Sequence, residues 1–316
     1  MRALLVRESE TMSYEIKEFA VAATDNIHTL VGKLYIPEGE IKGLFHIVHG
    51  MCEYIDRYDS FMSYLAENGY LAFGYDNLGH GKTAKDDSEL GFIAHRDGWK
   101  HLVNDVAAYE SAVKTLYPDI PLYLFGHSMG SFIARLAAET QSDNIERLII
   151  CGTAGKNPLA PLGLIITRGM RLLFGEKHIS RLVLSIAFGA YNKKFERLSD
   201  YEWLTTDREI IEKYQNDKYC TFSFTVSAMH DLIKLISLCN RSKWFKNINK
   251  ELPIMLISGS DDPVGNYGKG VIKVHKKLKC SEKNADLKLY KNCRHEILND
   301  SCRQEAYDDI LKFIEL

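Results

Sequence analysis

The sequence has no pair of cysteines at C-x-x-C spacing, although it carries seven: Cys52, Cys151, Cys220, Cys239, Cys280, Cys293 and Cys302. Their odd number and scatter argue against a disulfide framework or a zinc site, and point to reduced thiols in a cytoplasmic protein. Neither sign of charge is in excess, with 40 Lys and Arg against 42 Asp and Glu. The broad basic footprint of a nucleic-acid binder is therefore missing, and no nucleic-acid partner is expected. No apolar run reaches the roughly 20 residues that cross a bilayer. Met1 to Glu10 is too briefly apolar and too soon acidic to read as a secretory signal. Internal repeats and low-complexity tracts are absent. A phosphate-binding loop is narrowly missed as well. Gly79-His80-Gly81-Lys82-Thr83 ends like one, but Asp76 stands where the pattern requires its first glycine.

What is present is alternation. Ile27 to Ile36, Leu44 to Val48 and Tyr70 to Tyr75 read as strands, and Tyr58 to Glu67 as an amphipathic helix. Trp99 to Leu116 reads as a second helix, with Leu102, Val106, Tyr109 and Val113 at helical spacing and Pro118 stopping it. Leu148 to Cys151 is a short apolar strand of the kind buried on both faces of a parallel sheet. From about Gly155 to Lys250 helical stretches follow one another without a clear strand. Alternation resumes at Pro253 to Ser258 and Leu287 to Tyr290, and a helix from about Cys302 to Ile314 closes the chain. These signals predict an α/β core of residues 1–154 and 251–316 interrupted by a helical cap at 155–250. The cap's first part, Leu162 to Tyr191, is apolar and basic, with Arg168, Arg171, Lys177 and Arg181 against Glu176 alone. Such a face suits an acyl-chain pocket, transient contact with an anionic lipid surface, or simple packing on its own domain.

The chemistry centres on Gly126-His127-Ser128-Met129-Gly130. This G-x-S-x-G stands between the apolar run Leu122 to Phe125 and the helix former Ser131 to Glu139. Strand before and helix after is the context that lifts a serine hydroxyl onto a tight turn as a nucleophile. Serine needs a base, and the base needs an orienting carboxylate. Two later strand ends supply candidates: Asp261 and Asp262 after Ser258, and His295 after Tyr290. Functional groups of open parallel sheets gather at such carboxyl ends. Among the other histidines downstream, His178 and His230 lie in the insertion, and His275, among lysines, reads as solvated. Asp261 and Asp262 stay open as the acid, since either suits the turn before Pro263. The N–H groups of Met129 and of Met51, in the loop His49-Gly50-Met51-Cys52-Glu53, are the candidate oxyanion donors.

These blocks, with Arg57-Tyr58 and Tyr75-Asp76-Asn77-Leu78-Gly79-His80-Gly81, resemble the monoacylglycerol lipase and lysophospholipase branch of the α/β-hydrolases, grouped under the serine aminopeptidase S33 heading. The resemblance runs from about Thr24 onward and is weakest across the insertion. It implies an α/β-hydrolase fold, a mostly parallel eight-stranded twisted sheet flanked by helices with a helical cap. It implies a Ser128, Asp262, His295 triad, because the G-S-x-D pattern places its acid at Asp262. Neither metal nor organic cofactor is implied, and the partner is a small lipid ester. In that branch, residues matching Glu53 and Arg57 shape the head-group end of the site, while a structural ion pair is the alternative for both. The sequence departs at Leu298, where those enzymes carry a second histidine. An aminopeptidase, or a ligand-binding protein on the same fold, are the other readings.

Overall fold

The computed structural model describes residues 13–196 and 198–316, so the N-terminal stretch read for a secretory signal lies outside the described residues. Among the described residues eight strands form one sheet: β1 (Tyr14–Ala22), β2 (Thr29–Pro37), β3 (Gly43–Val48), β4 (Tyr70–Tyr75), β5 (Leu122–His127), β6 (Arg147–Cys151), β7 (Ile254–Gly259) and β8 (Ala285–Tyr290). Their spatial order is β1-β2-β4-β3-β5-β6-β7-β8. The β1–β2 and β2–β4 pairs are antiparallel and every later pair is parallel.

The helices are α1 (Asp59–Glu67), α2 (Gly98–Leu116), α3 (Met129–Gln141), α4 (Ala160–Phe174), α5 (Arg181–Phe188), α6 (Arg208–Gln215), α7 (Val226–Cys239), α8 (Ser242–Asn247), α9 (Lys269–Cys280) and α10 (Arg303–Glu315). Successive residues of the central strands point to opposite faces, and both faces are covered. Leu44, Leu122 and Leu124 pack with α2, α3 and α7, whereas Phe45, Tyr123 and Phe125 pack with Phe61 and Leu65 of α1 and Ile310 and Phe313 of α10. Strands buried on both sides must be apolar throughout, which is why they read as runs without alternation.

Two expectations need correction. Ile27 lies in a turn and not in a strand. The Asp25 carboxylate accepts from the N–H of Ile27 and His28, and Asn26 takes φ 59°, closing a hairpin onto β1. Strand β1 itself went unread because it is an edge with mostly exposed side chains and so has no apolar periodicity. His275 is not a solvated side chain. It is half-buried on α9, and its Nε2 lies 3.0 Å from the carbonyl of Ala285 at the start of β8.

Between β6 and β7 the described residues hold α4 to α8 and no strand. No described helix is long and apolar enough to cross a membrane.

Candidate active site

The carboxyl ends of β3, β5, β7 and β8 converge on one place. Strand β5 ends in a turn that puts Ser128 at φ 53°, ψ −118°, immediately before α3. That sparsely populated backbone stores on the order of 1–3 kcal/mol. It persists because neighbours allow no other path. A Cβ at Gly130 would fall 2.0 Å from the carbonyl oxygen of Val48, and one at Gly126 would fall 2.3 Å from that of Gly130. The Ser128 N–H is tied to the Cys151 carbonyl at 3.0 Å, locking the turn to β6.

Ser128 and His295 line the same cavity, of about 620 Å³. His295 is buried, and its Nδ1 lies 3.0 Å from Asp262 Oδ1, which approaches off the line of the ring N–H. Loose alignment of this kind is usual for a site that tightens around substrate. Asp262 has no exposed surface; it also accepts from the Val264 N–H at 2.8 Å and from Ser258 Oγ at 3.1 Å. Asp261 is half-buried, with its carboxylate taking only the Ser260 hydroxyl. Of the two aspartates left open by the sequence, Asp262 is the one beside His295.

Met51 and Met129 both line the cavity, and among the described residues neither N–H donates to an internal acceptor. Met129 opens α3, where the first amides have no intrahelical partner and the helix dipole is positive. The residues on either side of Met51 are held in place. Gly50 N–H donates to Glu53 Oε1, Cys52 N–H donates to His80 Nε2 at 3.3 Å, and the Cys52 carbonyl accepts from Tyr214 Oη at 2.8 Å. Burial lowers the imidazole of His80 to about 3 and that of His49 to about 4, so both rings are neutral and able to accept. His49 Nε2 accepts from Asn77 N–H at 2.8 Å. The block that imitates a phosphate loop is thus a brace for the turn at Met51. Asp76 completes the brace by accepting from the N–H of Ile55 and of Lys82.

Glu53 and Arg57 belong to a buried chain of alternating charge. Glu53 Oε1 accepts from His127 Nδ1 at 2.9 Å and from Tyr58 Oη at 3.0 Å. Arg57 reaches Glu53 at 3.3 Å and grips Glu296 through two bonds of 2.7 Å. Burial alone would raise the Glu53 carboxyl, but His127 and Arg57 hold it well below the usual carboxylate range. Burial would lower His127, but Glu53 holds it above its ordinary value. His127 Nε2 lies 3.3 Å from the carbonyl oxygen of His295. Glu53 faces the cavity, whereas Arg57 lies behind it with its guanidinium 4.8 Å from the Tyr214 ring.

His127 and Glu296 were not read from the sequence as site residues. The signal was adjacency to Ser128 and His295, which by itself names no partner. Trp203 was also missed. Its ring lies 5.1 Å from that of His295 and its carbonyl accepts from the His295 N–H. Arg294 fastens this segment by donating to the carbonyls of Glu202 and Thr205. His178 and His230 do not line the cavity. Leu298 is buried in the apolar layer under α10.

Residues 39–302 match the family Hydrolase_4, described as serine aminopeptidase, S33. The chain is 25% identical over 288 residues to a monoglyceride lipase of Saccharomyces cerevisiae, covering 87% of this chain and 85% of that one. It is 23% identical over 263 residues to the phospholipase YtpA of Bacillus subtilis, covering 83% and 90%. Among solved structures, a thermostable carboxyl esterase from Bacillus coagulans in complex with glycerol superposes with a TM-score of 0.90 at 28% identity, covering 95% and 98% of the two chains.

Proposed function

The chain belongs to the Hydrolase_4 family, serine aminopeptidase S33, and on that premise we propose that it is a serine hydrolase of carboxylic esters of single-chain lipids, monoacylglycerol or lysophospholipid. One observation carries the reading: a nucleophile-type elbow at Ser128 opens into the same cavity as His295, whose ring is backed by the buried Asp262. In this scheme His295 takes the Ser128 proton as the hydroxyl attacks the ester carbonyl. Asp262 holds the imidazole tautomer and stabilises the imidazolium. The amides of Met51 and Met129 receive the oxyanion. His295 then protonates the leaving alcohol, and a water that it activates releases the fatty acid from Ser128. Glu53 and Arg57 act on the head-group side, Glu53 at the cavity wall and Arg57 by holding it.

The relatives named for lipid ester hydrolysis support an ester over a peptide substrate. The charges agree. An aminopeptidase needs an unpaired carboxylate for the substrate ammonium, but the cavity's two carboxylates, Glu53 and Glu296, are already paired with His127 and Arg57. A substrate panel tests this. The purified protein is expected to hydrolyse p-nitrophenyl butyrate and a monoacylglycerol or lysophospholipid at least about tenfold faster, in kcat/KM, than alanine or proline p-nitroanilide. Faster cleavage of the anilides would overturn the ester reading.

Residues 155–250 serve in this proposal as a cap that meets a lipid surface. Leu172 and Leu173 at the end of α4 are 81% and 78% exposed, Ile165 and Phe174 of that helix and Leu182 and Ile186 of α5 are exposed as well, and so are Arg168, Lys177 and Arg181 of the same stretch of chain. Exposed apolar side chains interspersed with cations suit an anionic bilayer. The double variant Leu172→Glu/Leu173→Glu is expected to lose sedimentation with phosphatidylserine vesicles while still hydrolysing soluble p-nitrophenyl butyrate. Unaltered sedimentation would remove the docking role.

A further inference from the structure

We propose that the end of the cavity between α7 and α9 is an anion subsite, which takes the phosphate of a monoacyl ester substrate and makes phosphorylated head groups preferred over neutral glycerol. The proposal rests on the ester-hydrolase reading above and decides between its two substrate classes.

The wall changes character along α7. Leu232, Ile236 and the capping residue Asn240 line the cavity at four-residue spacing, so one helical face passes from apolar to polar over about 12 Å. Asn240 is 4% exposed. Its Nδ2 donates to the carbonyls of Ala154 at 3.2 Å and Ile236 at 3.0 Å, which fixes the amide's orientation. Its Oδ1 has no partner among the described residues. A buried amide oxygen left unpaired is costly, and a donor arriving with the ligand removes the cost.

Lys273, Lys276 and Lys277 of α9 line the same cavity with Lys156 from the loop before α4; that loop links the two helices, since Asn240 donates to Ala154 and a Cβ at Gly155 would lie 3.1 Å from the carbonyl oxygen of Gly270 in α9. Among the described residues no carboxylate of α7, α9 or this loop lines the cavity. The two carboxylates of the cavity wall are the ones already paired beside Ser128. Behind the wall the fully buried guanidinium of Arg135 donates to the carbonyl of Cys239 and to Thr153 Oγ1 and stacks 4.3 Å from the Trp244 ring. Among the described residues it has no carboxylate partner, and it adds positive potential one residue from Asn240.

Several cations that line one cleft with apolar walls, and that have no carboxylate partner among the described residues, focus a field that concentrates anions. Lysine ammoniums serve phosphate as point charges without demanding fixed geometry. A head-group hydroxyl next to that phosphate supplies the donor that Asn240 Oδ1 lacks. A neutral glycerol head meets the amide but leaves the cations without a counter-charge.

The test uses octanoyl esters presented as monomers, so that vesicle binding does not enter: octanoyl lysophosphatidate, octanoyl lysophosphatidylcholine and monooctanoylglycerol. In wild type, kcat/KM for the lysophosphatidate is expected to exceed that for the glyceride by about tenfold, with the zwitterionic choline ester between them. Lys273→Gln/Lys276→Gln/Lys277→Gln is expected to bring the ratio of anionic to neutral substrate close to one. Raising ionic strength from about 0.05 to about 0.5 M is expected to shrink the same ratio in unmodified protein, a readout that needs no variant to fold. A wild-type ratio near one, or a ratio that neither salt nor the triple variant alters, overturns the subsite. A wild type inert on all three esters and on p-nitrophenyl butyrate overturns the ester-hydrolase reading instead, and so is told apart from failure of the subsite alone.

Discussion

Ser128→Ala is expected to abolish ester hydrolysis, lowering kcat on p-nitrophenyl butyrate by on the order of 10⁴-fold or more, while leaving the fold in place. The size follows from the role: without the hydroxyl no acyl-enzyme forms, and only the donors at Met51 and Met129 remain to favour attack by water. Stability should hardly change, because alanine has the same Cβ as serine and meets the same φ of 53°. Ser128→Gly is the informative companion. Glycine adopts that backbone without strain, so it should be equally inactive and more stable than the alanine variant, by up to roughly 1–3 kcal/mol. Steady-state kinetics with urea denaturation of both variants checks the two halves together. Substantial turnover in Ser128→Ala would sink the nucleophile assignment, and equal stability of the two variants would sink the strain argument.

The second large effect separates neighbouring carboxylates. Asp262→Asn is expected to cut kcat by about 10³- to 10⁴-fold, because the amide cannot stabilise an imidazolium and its NH₂ favours the wrong tautomer of His295. Asp261→Asn should stay within about twofold of wild type, as expected for a substitution away from the buried network. The contrast follows from position. Asp262 is wholly buried, 3.0 Å from His295 Nδ1 and held by Val264 N–H and Ser258 Oγ, whereas among the described residues the Asp261 carboxylate accepts only from the Ser260 hydroxyl. Steady-state kinetics of both variants on p-nitrophenyl butyrate checks the contrast. A larger loss in Asp261→Asn would reverse the assignment.

Ser128, its place between a strand and a helix, and the order serine, acid, histidine were legible because each rests on local chemistry. Gly126 and Gly130 are required by the turn, and an apolar run before a helix former marks a buried strand. Strand β1 was not legible, since an exposed edge leaves no periodicity to read. Glu53 and Arg57 were visible only through resemblance, and what they do lies in pairings that span the chain. Arg57 meets Glu296 across 239 positions, and Glu53 meets His127 across 74. No pattern of nearby residues encodes such distances, because the sheet order that brings them together is a property of the folded layers.

The sequence by itself determined the strand–helix alternation, the tight turn at Ser128 and the short set of acid and histidine candidates at later strand ends, because turn sterics and burial act within a few residues. Only the tertiary structure put the carboxylate of Asp262, and not that of Asp261, beside His295, showed His80 and Asp76 bracing the Met51 turn, and brought Asn240 and the lysines of α9 to one cavity. Those outcomes depend on which side chains lose their water together, and desolvation is settled by packing between distant segments.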